Sequence, residues 1–190
     1  WYYSMKTRIF LIHGWGGSPR NDWLPWAIHA LEGRGYEVIA PDMPDTDHPK
    51  IKPWVDTLSQ LVVTPRPTDI FIGHSIGTQT ILRYLQTVDA SVDKVILVAP
   101  WFTLTSLEGP ESWSIADPWF KTSMDFARIK PKAREFITIF SDNDPWVPYK
   151  ESKQLFVERL NPRMITLHSF GHITADEGVT ELPTLLDLLK

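Results

Sequence analysis

Apolar residues in this chain fall into short unbroken runs separated by stretches of helical spacing. The runs are Ile9-Phe10-Leu11-Ile12, Glu37-Val38-Ile39-Ala40, Ile70-Phe71-Ile72, Lys94-Val95-Ile96-Leu97-Val98, Phe136-Ile137-Thr138-Ile139-Phe140 and Met164-Ile165-Thr166-Leu167. They are nearly continuous in apolar residues and do not alternate, which is the signature of parallel strands buried on both faces. Between them, Trp23 to Glu32 puts Leu24, Ala27, Ile28 and Leu31 on one face, with Gly33 and Gly35 available to end the helix. Further helices are predicted near 53–62, 76–88, 117–129, 149–160 and 181–189. Alternating β and α units predict an α/β three-layer sandwich with right-handed crossovers and a mostly parallel sheet of about six strands. No repeat or linker divides the pattern, so one domain over 1–190 is expected.

One stretch breaks the rhythm. Residues 101–116 are rich in Ser, Thr, Gly and Pro and carry Trp101, Phe102 and Trp113. They leave the C-terminal end of a strand, where ligands bind in open α/β sheets. A long irregular loop is expected there, as a small lid or pocket wall.

Composition narrows the options. With 43% hydrophobic and 22% charged residues, the 190-residue chain reads as a globular protein able to bury a substantial core. A net charge of −4 gives no basic footprint for nucleic acid and no polybasic membrane patch. The absence of cysteine excludes disulfides, thiolate metal sites and cysteine nucleophiles, and fits a reducing, cytoplasmic setting. No apolar stretch approaches a membrane span. Trp1-Tyr2-Tyr3-Ser4 lacks the form of a signal peptide, so Met5 is a candidate natural start and residues 1–4 a candidate appended remnant or disordered end.

The candidate chemistry centres on Gly73-His74-Ser75-Ile76-Gly77. It follows an apolar strand and opens an amphipathic helix. In that context G-x-S-x-G reads as a nucleophile elbow, with Ser75 exposed on a sharp turn at a helix N-terminus. Serine needs a base, and a carboxylate to orient that base, in chain order Ser, Asp/Glu, His. Of the six histidines, His172 follows the last strand and sits on the same sheet edge as the elbow. His13 starts the first loop and fits a role in shaping the oxyanion region. His29, His48, His74 and His168 lie in a helix, a Pro- and Asp-rich loop, the elbow itself and the last strand. The acid is Asp144 or Asp142, two residues apart on the loop after the fifth strand. The oxyanion donors are expected to be the backbone N–H of Ile76 and one from His13-Gly14-Trp15-Gly16-Gly17, with Trp15 first and Gly16 second. Trp15, Trp101 and Trp146 each lie beside one of these loops and could line an apolar substrate pocket.

These motifs give the chain a family likeness. The glycine-rich first loop, Asp42-Met43-Pro44-Asp45, Gly-His-Ser-x-Gly, Asp144-Pro145-Trp146-Val147-Pro148 and the terminal Gly171-His172 resemble the small serine hydrolase family that includes retinoblastoma-binding protein 9. The resemblance implies a reduced α/β-hydrolase fold without a large cap domain, and Ser75, Asp144 and His172 as the triad. The Asp-x-x-Val-Pro register favours Asp144 as the acid and leaves Asp142 to shape the turn. The first loop departs from the family in its His-Gly-x form. The reading is a serine hydrolase without metal or cofactor, acting on short-chain or small esters through an acyl-enzyme. A peptidase or amidase, or a hydrolase-fold binding protein, stands as the alternative. No nucleic-acid or membrane partner is expected, and the oligomeric state is open.

Overall fold

A computed structural model describes residues 6–190; the reading of Met5 and residues 1–4 falls outside them. Six strands form one sheet: β1 Arg8–Ile12, β2 Glu37–Ile39, β3 Ile70–His74, β4 Val92–Val98, β5 Ala133–Ser141 and β6 Arg163–Leu167, in the order β2-β1-β3-β4-β5-β6. All five pairings are parallel. The helices are α1 Leu24–Gly33, α2 Ile51–Val62, α3 Ile76–Leu85, α4 Gly109–Lys121, α5 Phe126–Ile129, α6 Tyr149–Arg159 and α7 Pro183–Asp187.

The pleat sorts neighbouring strand residues onto two cores. Phe10, Ile12, Phe71, Val95, Leu97, Phe136 and Phe140 face one side, with Trp54 and Leu58 of α2, Ile81 and Leu85 of α3 and Phe156 of α6. Ile9, Leu11, Ile70, Ile72, Ile96, Val98, Ile137 and Ile139 face the other, with Leu24, Ala27 and Leu31 of α1 and Leu185 of α7. Burial on both faces explains the unbroken apolar runs. The strand order reverses direction between β1 and β3. The C-terminal ends of those two strands flank a crevice, and the first glycine-rich loop and Ser75 both stand there.

The segment after β4 differs from the sequence expectation. Residues 101–108 form the irregular piece, and α4 already begins at Gly109, inside the stretch read as loop. Pro110 suits the start of a helix, where its missing N–H costs nothing, and Glu111 favours the first turn. The helix expected over 117–129 is instead the end of α4 plus the separate α5, because Pro118 weakens the last turns and α4 stops at Lys121. Residues 99–132, between β4 and β5, thus hold α4, α5 and a short 3₁₀ turn over Lys130–Lys132.

Candidate active site

The elbow is built by close packing. Ser75 has φ 54° and ψ −120°, a strained conformation for a non-glycine residue, costing on the order of 1–3 kcal/mol. Its neighbours must be small. A methyl added at Gly77 would lie 2.5 Å from the Ile12 carbonyl oxygen, and one at Gly73 would lie 2.8 Å from the Thr78 nitrogen. These approaches seat α3 against the ends of β1 and β3. The Ser75 N–H donates to the Val98 carbonyl (2.9 Å), which ties the turn to β4.

Two loops deliver the partners. His172 Nε2 lies 2.8 Å from Ser75 Oγ, and His172 Nδ1 lies 2.7 Å from Asp144 Oδ2. The His172 and Asp144 side chains are only 7% and 2% exposed. Asp144 Oδ1 accepts from the Trp146 and Val147 N–H groups, both at 3.0 Å, so the carboxylate is held from both ends. With Nδ1–H donated to Asp144, Nε2 is left to accept the serine proton. Asp142 is turned elsewhere: its Oδ2 meets His168 Nδ1 at 2.6 Å and its Oδ1 accepts from the Ser169 N–H.

Short polar side chains splice the two loops together, and the sequence reading had not singled them out. Ser141 Oγ accepts from the Phe170 N–H, and Asn143 Oδ1 accepts from the Gly171 N–H (2.8 Å). The signal was the run Ser141-Asp142-Asn143-Asp144, whose side chains favour bonds to nearby backbone. Gly171 has φ 54°, a left-handed conformation that favours glycine, and packs against the Glu177 carboxylate just before His172.

The first loop presents a backbone N–H beside the serine. Met43 N–H donates to His13 Nε2 (2.9 Å), so His13 carries its proton on Nδ1 and donates it to the Gly14 carbonyl at 2.7 Å. The Gly17 N–H donates to the same carbonyl. In a trans peptide the N–H of Trp15 must point the opposite way. It meets no acceptor among the described residues. The Gly16 N–H, by contrast, donates to the Thr46 carbonyl at 2.8 Å and is not free. A methyl at Gly14 would sit 3.4 Å from Ser75 Cβ, so this peptide lies against the elbow. The Ile76 N–H, first in α3, has no intrahelical acceptor.

A cavity of about 580 Å³ opens over Ser75 and His172. Its lining combines polar groups from Gly14, Gly16, Gly17, Asn21, Asp22, Thr174 and Asp176 with the apolar side chains of Trp15, Trp101, Leu104, Leu107 and Trp146. All three tryptophans named from the sequence therefore border it. Trp113, also in the segment expected as a lid, is on α4 with its indole N–H on the Leu107 carbonyl. Phe102 is stacked on Phe156 in the core. Behind the elbow, His74 donates from Nε2 to the His172 carbonyl (2.9 Å). Burial, and then the neighbouring His172 imidazole, push His74 down to about 4 and keep it neutral. Burial also lowers His13, consistent with its neutral tautomer. Among the described residues, no group of three or more His, Cys, Asp or Glu side chains is placed to hold a metal ion, and no helix is long and apolar enough to cross a membrane.

Comparison with known proteins accords with this architecture. The chain is 29% identical over 188 residues to YdeN of Bacillus subtilis (strain 168), covering 97% of this chain and 95% of that protein. It is 28% identical over 177 residues to the serine hydrolase RBBP9 of Rattus norvegicus, covering 92% and 91%. The crystal structure of the B. subtilis ydeN gene product superposes with a TM-score of 0.87 at 30% identity, over 97% of each chain. The fold is thus a compact α/β-hydrolase fold. The model of the serine hydrolase family matches residues 9–190, a span that runs from β1 through the elbow to the end of the chain, and the chain belongs to that family.

Proposed function

We propose that the chain is a carboxylic ester hydrolase working through an acyl-enzyme, with Ser75, His172 and Asp144 as its catalytic triad. The observation that carries this reading is the hydrogen-bonded line Ser75 Oγ, His172 Nε2, His172 Nδ1, Asp144 Oδ2 at the floor of the cavity. Ser75 Oγ attacks the ester carbonyl while His172 Nε2 takes its proton. The proton then passes to the departing alcohol. Asp144 fixes the tautomer and stabilises the imidazolium that forms. The N–H groups of Ile76 and Trp15 hold the oxyanion, a contribution of roughly 10²–10³-fold per donor. Water then enters, gives its proton to His172 and releases the acid.

Substrate size follows from the cavity. Trp101, Leu104, Leu107 and Trp146 are the large apolar side chains of its wall, so an acyl group short enough to stay against them would be buried and a longer one would run on past them into water. Each buried methylene gains about 0.8 kcal/mol, and an exposed one gains nothing. The test has two parts. A fluorophosphonate probe should label wild type and not Ser75→Ala. Across p-nitrophenyl esters, kcat/KM should peak at about two to six acyl carbons, beyond which added carbons stay in water. No labelling, or a steady rise through long chains, would refute the corresponding part.

A further inference from the structure

We infer that Trp101 is a further catalytic residue, its indole N–H donating to Ser75 Oγ and stabilising that oxygen as it leaves the acyl-enzyme. The inference rests on the acyl-enzyme reading above. The Trp101 side chain is fully buried, and Nε1 lies 3.4 Å from Ser75 Oγ. An indole nitrogen can only donate. Ser75 gives its own proton to His172 Nε2 at 2.8 Å, so Oγ has lone pairs free to accept from Trp101. Among the described residues, no other acceptor meets this N–H.

Trp101 is also held more firmly than a pocket wall requires. Gln79 Nε2 donates to the Trp101 carbonyl (3.1 Å). Gln79 Oε1 in turn accepts from Arg83 Nε (3.2 Å) and Nη2 (3.1 Å). Arg83 Nη2 reaches the Trp119 and Thr122 carbonyls at 2.9 and 2.8 Å, at the end of α4. Arg83 is 2% exposed and makes no ion pair with a carboxylate among the described residues. Burial lowers its guanidinium to about 10, so it stays cationic at neutral pH. A buried cation without a counter-ion is costly, and its hydrogen bonds to Gln79 and to helix-end carbonyls offset that cost. The chain of bonds ends at the backbone of Trp101, while the Phe120 ring packs edge-on against its indole at 5.6 Å. Gln79 and Arg83 are therefore positioning residues.

The chemistry gives the N–H unequal value in the two halves of the reaction. In acylation the Oγ lone pair must attack carbon, and a donor on that oxygen helps little. In the acyl-enzyme, Oγ is the bridging ester oxygen. A hydrogen bond there draws its lone pair away from the carbonyl and leaves the carbonyl more open to water. When the tetrahedral intermediate collapses, the C–Oγ bond breaks and its electron pair goes to Oγ. His172 Nε2 returns the proton taken from water. The indole keeps its own proton throughout and lends only the hydrogen bond.

The test is pre-steady-state hydrolysis of p-nitrophenyl butyrate by wild type and by Trp101→Phe, which keeps an aromatic ring and lacks the N–H. The expected result is a retained p-nitrophenol burst, kcat about 10-fold lower, and kcat/KM, which reports acylation, within about 3-fold. Should Trp101→Phe fold poorly, site-specific replacement by benzothienylalanine removes the N–H at constant shape and decides the matter. Gln79→Met should give a smaller drop of the same form. Unchanged kcat in both position-101 variants, or loss of the burst with kcat/KM falling as far as kcat, would overturn the role of Trp101. Wild type giving neither burst nor turnover would instead defeat the ester-hydrolase reading, and this role with it.

Discussion

Two Asp–His pairs stand side by side on the same two loops, in very different surroundings. Asp142 Oδ2 meets His168 Nδ1 at 2.6 Å; Asp144 Oδ2 meets His172 Nδ1 at 2.7 Å. Both carboxylates also accept backbone N–H bonds. By distance alone the pairs are equivalent. They differ in setting. The His168 and Asp142 side chains are 81% and 33% exposed, against 7% and 2% for His172 and Asp144. In water the first pair is screened and gains little. The second is shielded, and its imidazole has a third partner, Ser75. A carboxylate next to a histidine becomes catalytic equipment only when the other ring nitrogen faces a nucleophile in a dry site.

The sharpest way to break the comparison is to remove each histidine. His172→Gln should lower kcat by roughly 10⁵–10⁶-fold, the scale seen when a triad base is lost. His168→Gln, on the surface, should stay within about twofold, as surface substitutions do. Steady-state turnover of a short p-nitrophenyl ester reads both. Equal losses would mean the exposed pair takes part in the chemistry.

The carboxylates should separate almost as widely. Asp144→Asn should cost about 10⁴-fold in kcat, because the amide favours the wrong imidazole tautomer. Asp142→Asn should change kcat by no more than a few-fold. The reverse ranking would move the orienting role to Asp142.

How far these two pairs could be told apart in the sequence depends on what kind of information separates them. The six strands were legible because double-sided burial writes itself into unbroken apolar runs. The elbow was legible because Gly73 and Gly77 are steric necessities at fixed spacing. Asp142 and Asp144 were not separable from local chemistry, since both sit in the same turn; a resemblance in the following Val147-Pro148 favoured one. The start of α4 was missed because Gly109-Pro110-Glu111 reads equally as a turn and as a helix opening. Gln79 and Arg83 left no trace at all. They look like the polar face of an amphipathic helix, yet every residue of α3 is buried, and only the folded chain shows Gln79 on the Trp101 carbonyl and Arg83 on the carbonyls at the end of α4.

A smaller effect should come from the residue between the two aspartates. Asn143 joins the loops by accepting from the Gly171 N–H, next to His172. Asn143→Ala removes two hydrogen bonds, those from the Gly171 N–H and from Ser141 Oγ, each worth about 0.5–1.5 kcal/mol of stability. It also frees the His172 loop to drift, and about a 10-fold loss of kcat is expected from misplacing the base, well short of the losses above. Urea unfolding and turnover measured on the same preparation check both. A loss of stability with kcat intact would show that the splice holds the fold and not the site.

The finest separation is in acid. His74 lies behind the buried pair, bonded to the His172 carbonyl, and burial lowers it from 6.5 to about 4. Between those values the unfolded chain binds a proton that the folded chain refuses, so stability falls as pH drops through that window. Asp142, in the exposed pair, is lowered below 3.8 by the Ser169 N–H and then by His168. Its contribution is complete above 3.8 and is lost only as pH falls through its folded value. The buried side of the site therefore weakens first. His74→Gln should lessen the loss of urea-midpoint stability between about pH 6.5 and pH 4. Asp142→Asn should leave that window alone and lessen the loss below it. If His74→Gln leaves the slope between pH 6.5 and pH 4 unchanged, the folded protein already accommodates a charged His74, and the dry setting inferred for the buried pair does not extend behind the elbow.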